Sequence, residues 1–130
     1  MQAVYYRDAM GAEPVDVFIE TLPPAVQAAL DLQINRLNLL GTNDPPLPFP
    51  HSSQVEGELR ELRCHYGRRL FRVLYRRSEG LFVLLHIFEK RSRVISEADK
   101  AMARARWDDF KSRMDVQPRR PPRAAGHDAP

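Results

Sequence analysis

The sequence predicts an α+β domain: a short N-terminal strand and a helical hairpin packed on an antiparallel sheet, followed by a C-terminal helix. Apolar residues recur at helical spacing through residues 14–40. The period shortens to that of strands between Glu58 and Glu89, then returns to helical from Ser96 to about Met114. Segments rich in proline and glycine separate these stretches, as connections between elements do.

Ala3-Val4-Tyr5-Tyr6 is β-branched and aromatic and reads as the first strand. Glu13-Pro14 opens a helix with Val15, Phe18, Ile19 and Leu22 on one side, proline being tolerated in a first turn. Pro23-Pro24 ends it and starts a second helix, whose apolar stripe is Val26, Leu30, Ile34, Leu37 and Leu40, with Gly41 as the expected C-cap. Residues 42–57 carry four prolines and no clear period, and read as a loop. Glu58–Cys64, Leu70–Arg77 and Leu81–Glu89 read as three strands joined by Gly-bearing turns, which favour antiparallel hairpins. The last of these is nearly all apolar from Leu81 to Phe88, the pattern of a central strand buried on both faces. Ser96 and Asp99 approximate a capping box, and Ala103, Trp107, Phe110 and Met114 give the final helix its apolar stripe. Residues 1–114 therefore form the expected domain, and the Pro/Arg-rich residues 115–130 are expected to be a disordered basic tail.

At 130 residues the chain suits one domain with a modest core. No apolar run reaches the ~20 residues that span a bilayer, and MQAVYYRDAM lacks the basic-then-apolar pattern of a secretory signal. Cys64 is the single cysteine, which excludes an intrachain disulfide and fits a reducing cytoplasm. Its setting in an apolar strand reads as packing. The four histidines are not at metal-ligand spacing, and neither a metal nor a cofactor is expected.

The net charge of +3 conceals an asymmetry. Residues 1–57 hold two basic and seven acidic side chains, whereas residues 58–114 hold fifteen basic and eight acidic. A sign difference of this size within one domain points to a cationic face directed at a polyanion, RNA above all. Ten of the basic residues fall between Glu58 and Arg93: Arg60, Arg63, Arg68, Arg69, Arg72, Arg76, Arg77, Lys90, Arg91 and Arg93.

Arg63 and Arg72 lie inside strands, where forked, permanently charged guanidiniums suit phosphate oxygens and the charge of a phosphoryl transition state. Equally, they suit cross-strand ion pairs with Glu61, Glu58 or Glu89. Strict alternation places His86 on one face with Leu84, Phe88 and Lys90. There it is either a hydrogen-bonded core histidine or a general base for a ribose 2′-hydroxyl. Lys90, Arg91 and Arg93 follow at the rim, and Arg60, Arg68 and Arg69 extend the basic surface.

In this order the elements resemble the RelE/ParE superfamily of toxins from type II toxin–antitoxin modules, and more narrowly its phage-associated HigB-like branch. The matching stretches are Val17-Phe18-Ile19-Glu20-Thr21-Leu22-Pro23-Pro24, Leu37-Asn38-Leu39-Leu40-Gly41, Glu61-Leu62-Arg63, Phe71-Arg72-Val73-Leu74-Tyr75 and Leu84-Leu85-His86-Ile87-Phe88-Glu89-Lys90-Arg91. The resemblance implies a RelE-like fold and a metal-independent mRNA endoribonuclease that acts on the ribosome. It also implies inhibition of translation and neutralisation by a cognate antitoxin, expected to be a helix-turn-helix protein. By motif it assigns catalytic roles to Arg63, Arg72, Lys90 and Arg91, with His86 as a further candidate. The chain departs from the branch at His51-Ser52-Ser53-Gln54, where lysines are common, and at Arg60, where an aromatic is common. Two alternatives share the fold: a non-enzymatic ParE-like inhibitor of DNA gyrase, and an inactive phage-borne binding protein.

Overall fold

Eight elements follow in the order β1 (Gln2–Tyr5), α1 (Pro14–Glu20), α2 (Pro24–Asn38), β2 (Ser52–Glu56), β3 (Leu59–Tyr66), β4 (Arg69–Ser78), β5 (Leu81–Glu89) and α3 (Glu97–Met114). This computed structural model describes residues 1–114 and 121–126. The strands form one sheet in the order β1-β5-β4-β3-β2, antiparallel except that β1 runs parallel to β5. It is an α+β architecture consistent with the RelE-like fold.

The two faces of the sheet have separate cores. On one, Val15 and Ile19 of α1 and Val26, Leu30, Ile34 and Leu37 of α2 pack against Leu62, Phe71, Val73, Tyr75, Leu84 and Ile87. On the other, Ala103 and Phe110 of α3, with Trp107 and Met114 at their margin, pack against Val4, Leu74, Val83, Leu85 and Phe88. The apolar run of β5 is thereby explained, since both of its faces are covered. Helix α3 lies mainly on β5 and partly on β4, and it reaches one end of β3 and β2 through Ala103 beside Leu59 and Arg104 on Glu56. Cys64 is buried, and burial pushes its thiol pKa up, in keeping with a packing role. Ser96 and Asp99 form the expected reciprocal cap, with Asp99 N–H to Ser96 Oγ at 3.1 Å and Ser96 Oγ to Asp99 Oδ2 at 2.7 Å.

Four expectations need correction. Residues 52–56 are not loop but the edge strand β2, antiparallel to β3 through Ser52–Leu62, Ser53–Glu61 and Gln54–Arg60. The preceding prolines and a polar sequence hide this strand. Gly41 does not cap α2, which ends at Asn38 with Leu39 in the right-handed region, and the Gly41 amide donates instead to Asp44 Oδ2 at 2.7 Å. The alternation of β5 is interrupted. Leu74 pairs with His86 and Tyr75 with Leu84, so Leu85 is an extra residue on β5. This bulge turns His86 away from the face of Leu84.

The fourth correction concerns the tail. Residues 121–126 are ordered along the free edge of β1, where Ala124 bridges Val4 in antiparallel fashion. Tyr5 N–H donates to Arg123 O at 3.0 Å and Ala125 N–H to Ala3 O at 2.8 Å. Ala125 is fully buried in the hairpin-side core. Composition predicted disorder here because it could not show that two alanines fit a sheet edge. The other residues of the expected tail, 115–120 and 127–130, lie outside the described residues.

Candidate nucleic-acid interface

In β4, Phe71 and Val73 point into the hairpin-side core, so Arg72 between them emerges on the α3 face. Its Cα neighbours across the sheet are Arg63 of β3 and Phe88 of β5. By the same alternation Leu62 and Cys64 enter the core, while Glu61 and Arg63 join Arg72 on the α3 face. The Glu61 carboxylate is the hub. Oε2 lies 3.2 Å from Arg72 Nε, and Oε1 accepts from Arg63 Nη1 at 3.2 Å and from Ser53 Oγ at 2.8 Å. The Arg72–Glu61 approach is an ion contact that is not aligned as a hydrogen bond. Both terminal nitrogens of Arg72 reach the Arg93 carbonyl at 3.4 Å, tying the 90–95 loop over the guanidinium. Arg63 also lies over the Phe49 ring, 5.1 Å from its centroid.

Arg72 is 4 % exposed and Glu61 5 %, so this pair sits at the floor of a cleft and not on a rim. The cleft, of about 220 Å³, is lined by Gln54, Val55, Glu61, Arg72, Arg93, Ile95 and Lys100. One carboxylate and three cationic side chains converge there. The Nε atoms of Arg63 and Arg72 are buried without a hydrogen-bond acceptor. Buried donors of this kind are ordinarily paired, and an anionic oxygen is the group that suits them best.

Basic residues at one end of the sheet extend the positive surface. The β3–β4 turn and the end of β5 meet there, since Phe71 pairs with Glu89 and Lys90 N–H donates to Leu70 O at 2.7 Å. Arg68, Lys90, Arg91 and Arg93 are exposed, and the side chains of Arg68, Lys90 and Arg93 have no ion-pair partner among the described residues. Arg69 is held by Glu89 through two hydrogen bonds of 2.8 and 2.9 Å. Arg60 stands apart. It shares the opposite face with Tyr75, and its Nη2 donates to the Leu47 carbonyl at 3.1 Å.

His86 is not in the cleft lining. Its Nε2 meets Asp99 Oδ1 at 2.7 Å, and its Nδ1 lies 3.3 Å from Arg106 Nη1, which also donates to Leu85 O at 2.9 Å. One tautomer satisfies both contacts: Nε2–H donates to the carboxylate and Nδ1 accepts from the guanidinium. Burial lowers the His86 pKa despite Asp99, and the positive charges of Arg106 and Arg91 lower it further. Burial works against the charge of Asp99, yet hydrogen bonds from His86 and Ser96 hold its carboxyl below the usual value. A neutral imidazole thus pins α3 to the bulge of β5.

A sequence model for the family described as "Phage derived protein Gp49-like (DUF891)" matches residues 17–108. The chain belongs to that family. It is a toxin-like family related to RelE and HigB, and its association with phage agrees with the branch suggested by the sequence. No curated protein matches the chain. In this Gp49-like protein the matched span runs from α1 into α3 and takes in the whole cleft, whereas β1 and the ordered tail fall outside it. Of the residues picked from sequence, Arg72 and Arg93 line the cleft, Arg63 joins them through the carboxylate of Glu61, and Lys90 and Arg91 lie on the adjoining loop. Glu61 and Lys100 were missed as site residues. Glu61 was legible only as an ion-pair partner, and Lys100 lies one helix away in sequence.

Proposed function

We propose that this Gp49-like protein is the toxin of a type II toxin–antitoxin module and cleaves mRNA on the ribosome. The observation that carries the reading is the Glu61–Arg72 pair in the lining of a basic cleft, with Arg63 bound to the same carboxylate. RNA cleavage by its own 2′-hydroxyl needs a base for that hydroxyl and positive charge around a pentacoordinate phosphorus. Glu61, the one carboxylate in the cleft lining, takes the 2′-hydroxyl proton. As the 2′-oxygen bonds to phosphorus, the guanidiniums of Arg72 and Arg63 hold the non-bridging oxygens. The P–O5′ bond then breaks, water protonates the departing oxygen, and the product is a 2′,3′-cyclic phosphate. Lys90, Arg91, Arg93 and Arg68 bind flanking phosphates, and Arg60 takes no part. His86 acts as the tether described above, since both ring nitrogens are already engaged. Residues 1–114 carry the toxin fold, residues 121–126 complete its core and sheet edge, and a cognate antitoxin neutralises the toxin in the cytoplasm.

One observation favours a second reading. Arg72 is nearly inaccessible, as befits a protein that retains the charge cluster for folding and binds without cleaving. The two readings part on expression of the full chain alone, followed by growth and mapping of mRNA 5′ ends. Cleavage is expected, and it should be lost in Arg72→Ala, one such donor being worth ~3–4 kcal/mol in the transition state. Arg72→Lys should rescue little, because an ammonium cannot span two oxygens. A folded Arg72→Ala protein that cleaves normally removes the mechanism. Ribosome or RNA affinity that stays flat as salt is raised removes the basic surface as the contact.

A further inference from the structure

The ordered tail lies on a site built in detail by residues far from it in sequence. The Arg123 guanidinium is held by Glu13 Oε1 at 3.0 Å and Asp16 Oδ2 at 2.8 Å, both from the start of α1, and lies over the Tyr5 ring 4.6 Å from its centroid. Burial chiefly, and then the negative charges of Asp16 and Asp31, raise the pKa of the Tyr5 hydroxyl. Two residues on, Ala125 fills a closed socket in the core, and its carbonyl accepts from Asn38 Nδ2 at 3.0 Å and Gln2 Nε2 at 3.2 Å. Asn38 Oδ1 in turn accepts from Ala3 N–H at 2.7 Å. At Gly126, with φ +97°, an added Cβ would lie 2.6 Å from Asn38 Nδ2. Two carboxylates and a ring for an arginine, a socket for a methyl, and amides for the backbone together make a peptide-reading site.

We infer that this β1-edge site receives an extended segment of a partner protein, one with an arginine two residues ahead of a small residue, in exchange for residues 122–126. The resident strand is poorly suited to permanence. It pairs with the four-residue β1 at a single bridge, and Pro121-Pro122 supply no N–H with which to extend the ladder past Tyr5. A segment without those prolines forms a longer ladder on the same edge. The resident's advantage is its tether, which gives it an effective concentration of order millimolar. The acidic half of the chain thereby acquires a purpose of its own: Glu13 and Asp16 select a cationic strand on the side of the sheet edge away from the RNA cleft. Apart from Asn38, the polar side chains of the site lie outside the residues matched by the family model, and the site does not depend on cleavage.

The test uses full-length chain and synthetic acetylated peptides, with binding and amide exchange followed by NMR. In Arg123→Ala the Tyr5 and Ala125 amides should lose protection while the melting temperature stays within a few degrees. That variant should bind a peptide of residues 119–130 at least ten-fold more tightly than the wild-type chain does. Replacing the peptide's arginine by alanine, or adding Glu13→Gln and Asp16→Asn to the protein, should cost ten-fold or more. A peptide with valines at the two proline positions should bind more tightly than the native one. Should Arg123→Ala not hold its fold, Gly126→Ala releases the tail by a separate clash and takes its place. Undiminished protection in Arg123→Ala, or a released edge that ignores the peptide, overturns the inference. So does a valine peptide no tighter than the native one, or a released chain that pairs with a second copy instead.

Discussion

Glu61→Gln is the most informative single change, because it removes a charge and almost no volume. In the native protein this carboxylate faces two guanidiniums at 3.2 Å in a site where the side chains of Glu61 and Arg72 are 6 % and 5 % exposed. Solvent screens such a pair poorly, and removing one partner of a buried ion pair typically costs ~3–5 kcal/mol because the other charge is stranded. The charge-assisted hydrogen bond from Arg63, at ~1.5–3 kcal/mol, together with the unaligned Arg72 contact, gives a similar range. The amide keeps the Ser53 hydrogen bond and part of the Arg63 contact, so the expected loss is ~2–4 kcal/mol. At roughly 3–5 °C per kcal/mol for a domain of this size, the melting temperature should fall by about 6–20 °C. Urea unfolding gives the free energy and calorimetry the midpoint. Arg72→Met should cost less than Glu61→Gln, since it leaves Glu61 paired with Arg63. Glu61→Gln within ~0.5 kcal/mol of wild type would show that the cluster does not stabilise the fold. The mechanism would then lose the strain-free positioning of its arginines.

Leu85→Ala should cost ~2–5 kcal/mol in urea unfolding, because Leu85 is fully buried as the extra residue of the β5 bulge; a loss below ~1 kcal/mol would mean that the bulge repacks. The depressed pKa of His86 makes a signed prediction. Its neutral form stabilises the fold fully above its unfolded pKa of ~6.5, and that stability is lost as the pH falls from there through the folded value. Asp99 titrates lower and in the same sense. His86→Gln should therefore flatten the stability profile as the pH falls below about 6.5, and an unchanged slope would clear His86 of that role.

How much of this could be read in the sequence varies with the range of the interaction. The β3–β4–β5 meander and α3 were legible because each carries its own period and its own turn or cap. β2 was not, because Ser52–Glu56 has no apolar face and is a strand only through its pairing with β3. The bulge at Leu85 was invisible in an unbroken apolar run, and it reversed the side on which His86 was placed. Within the cleft, the presence of Arg63 and Arg72 was legible but their company was not. Whether a strand arginine faces phosphate or carboxylate depends on register, which pairs Arg63 with Arg72 and lets Glu61, opposite Leu74, reach Arg72 diagonally. Ordering of the tail depended on Asn38, Tyr5 and Glu13, none of which is near it in the chain.

The parallel seat of β1 next to β5 bears on when this molecule acquires its shape. Gln2 finds its partner at Leu81, so β1 must wait for a strand roughly 80 residues later in the chain. At 5–20 residues per second that interval is ~4–16 s, during which the N-terminal edge has no ladder to join. Helix α2 can rest on α1 and β1 before its contact with β3 is made, and α3 follows all five strands. Non-local closure of this kind slows folding and defers it until β5 has been made. A nascent copy therefore cannot assemble its cleft before Arg93, Ile95 and Lys100 have followed β5 out of the ribosome.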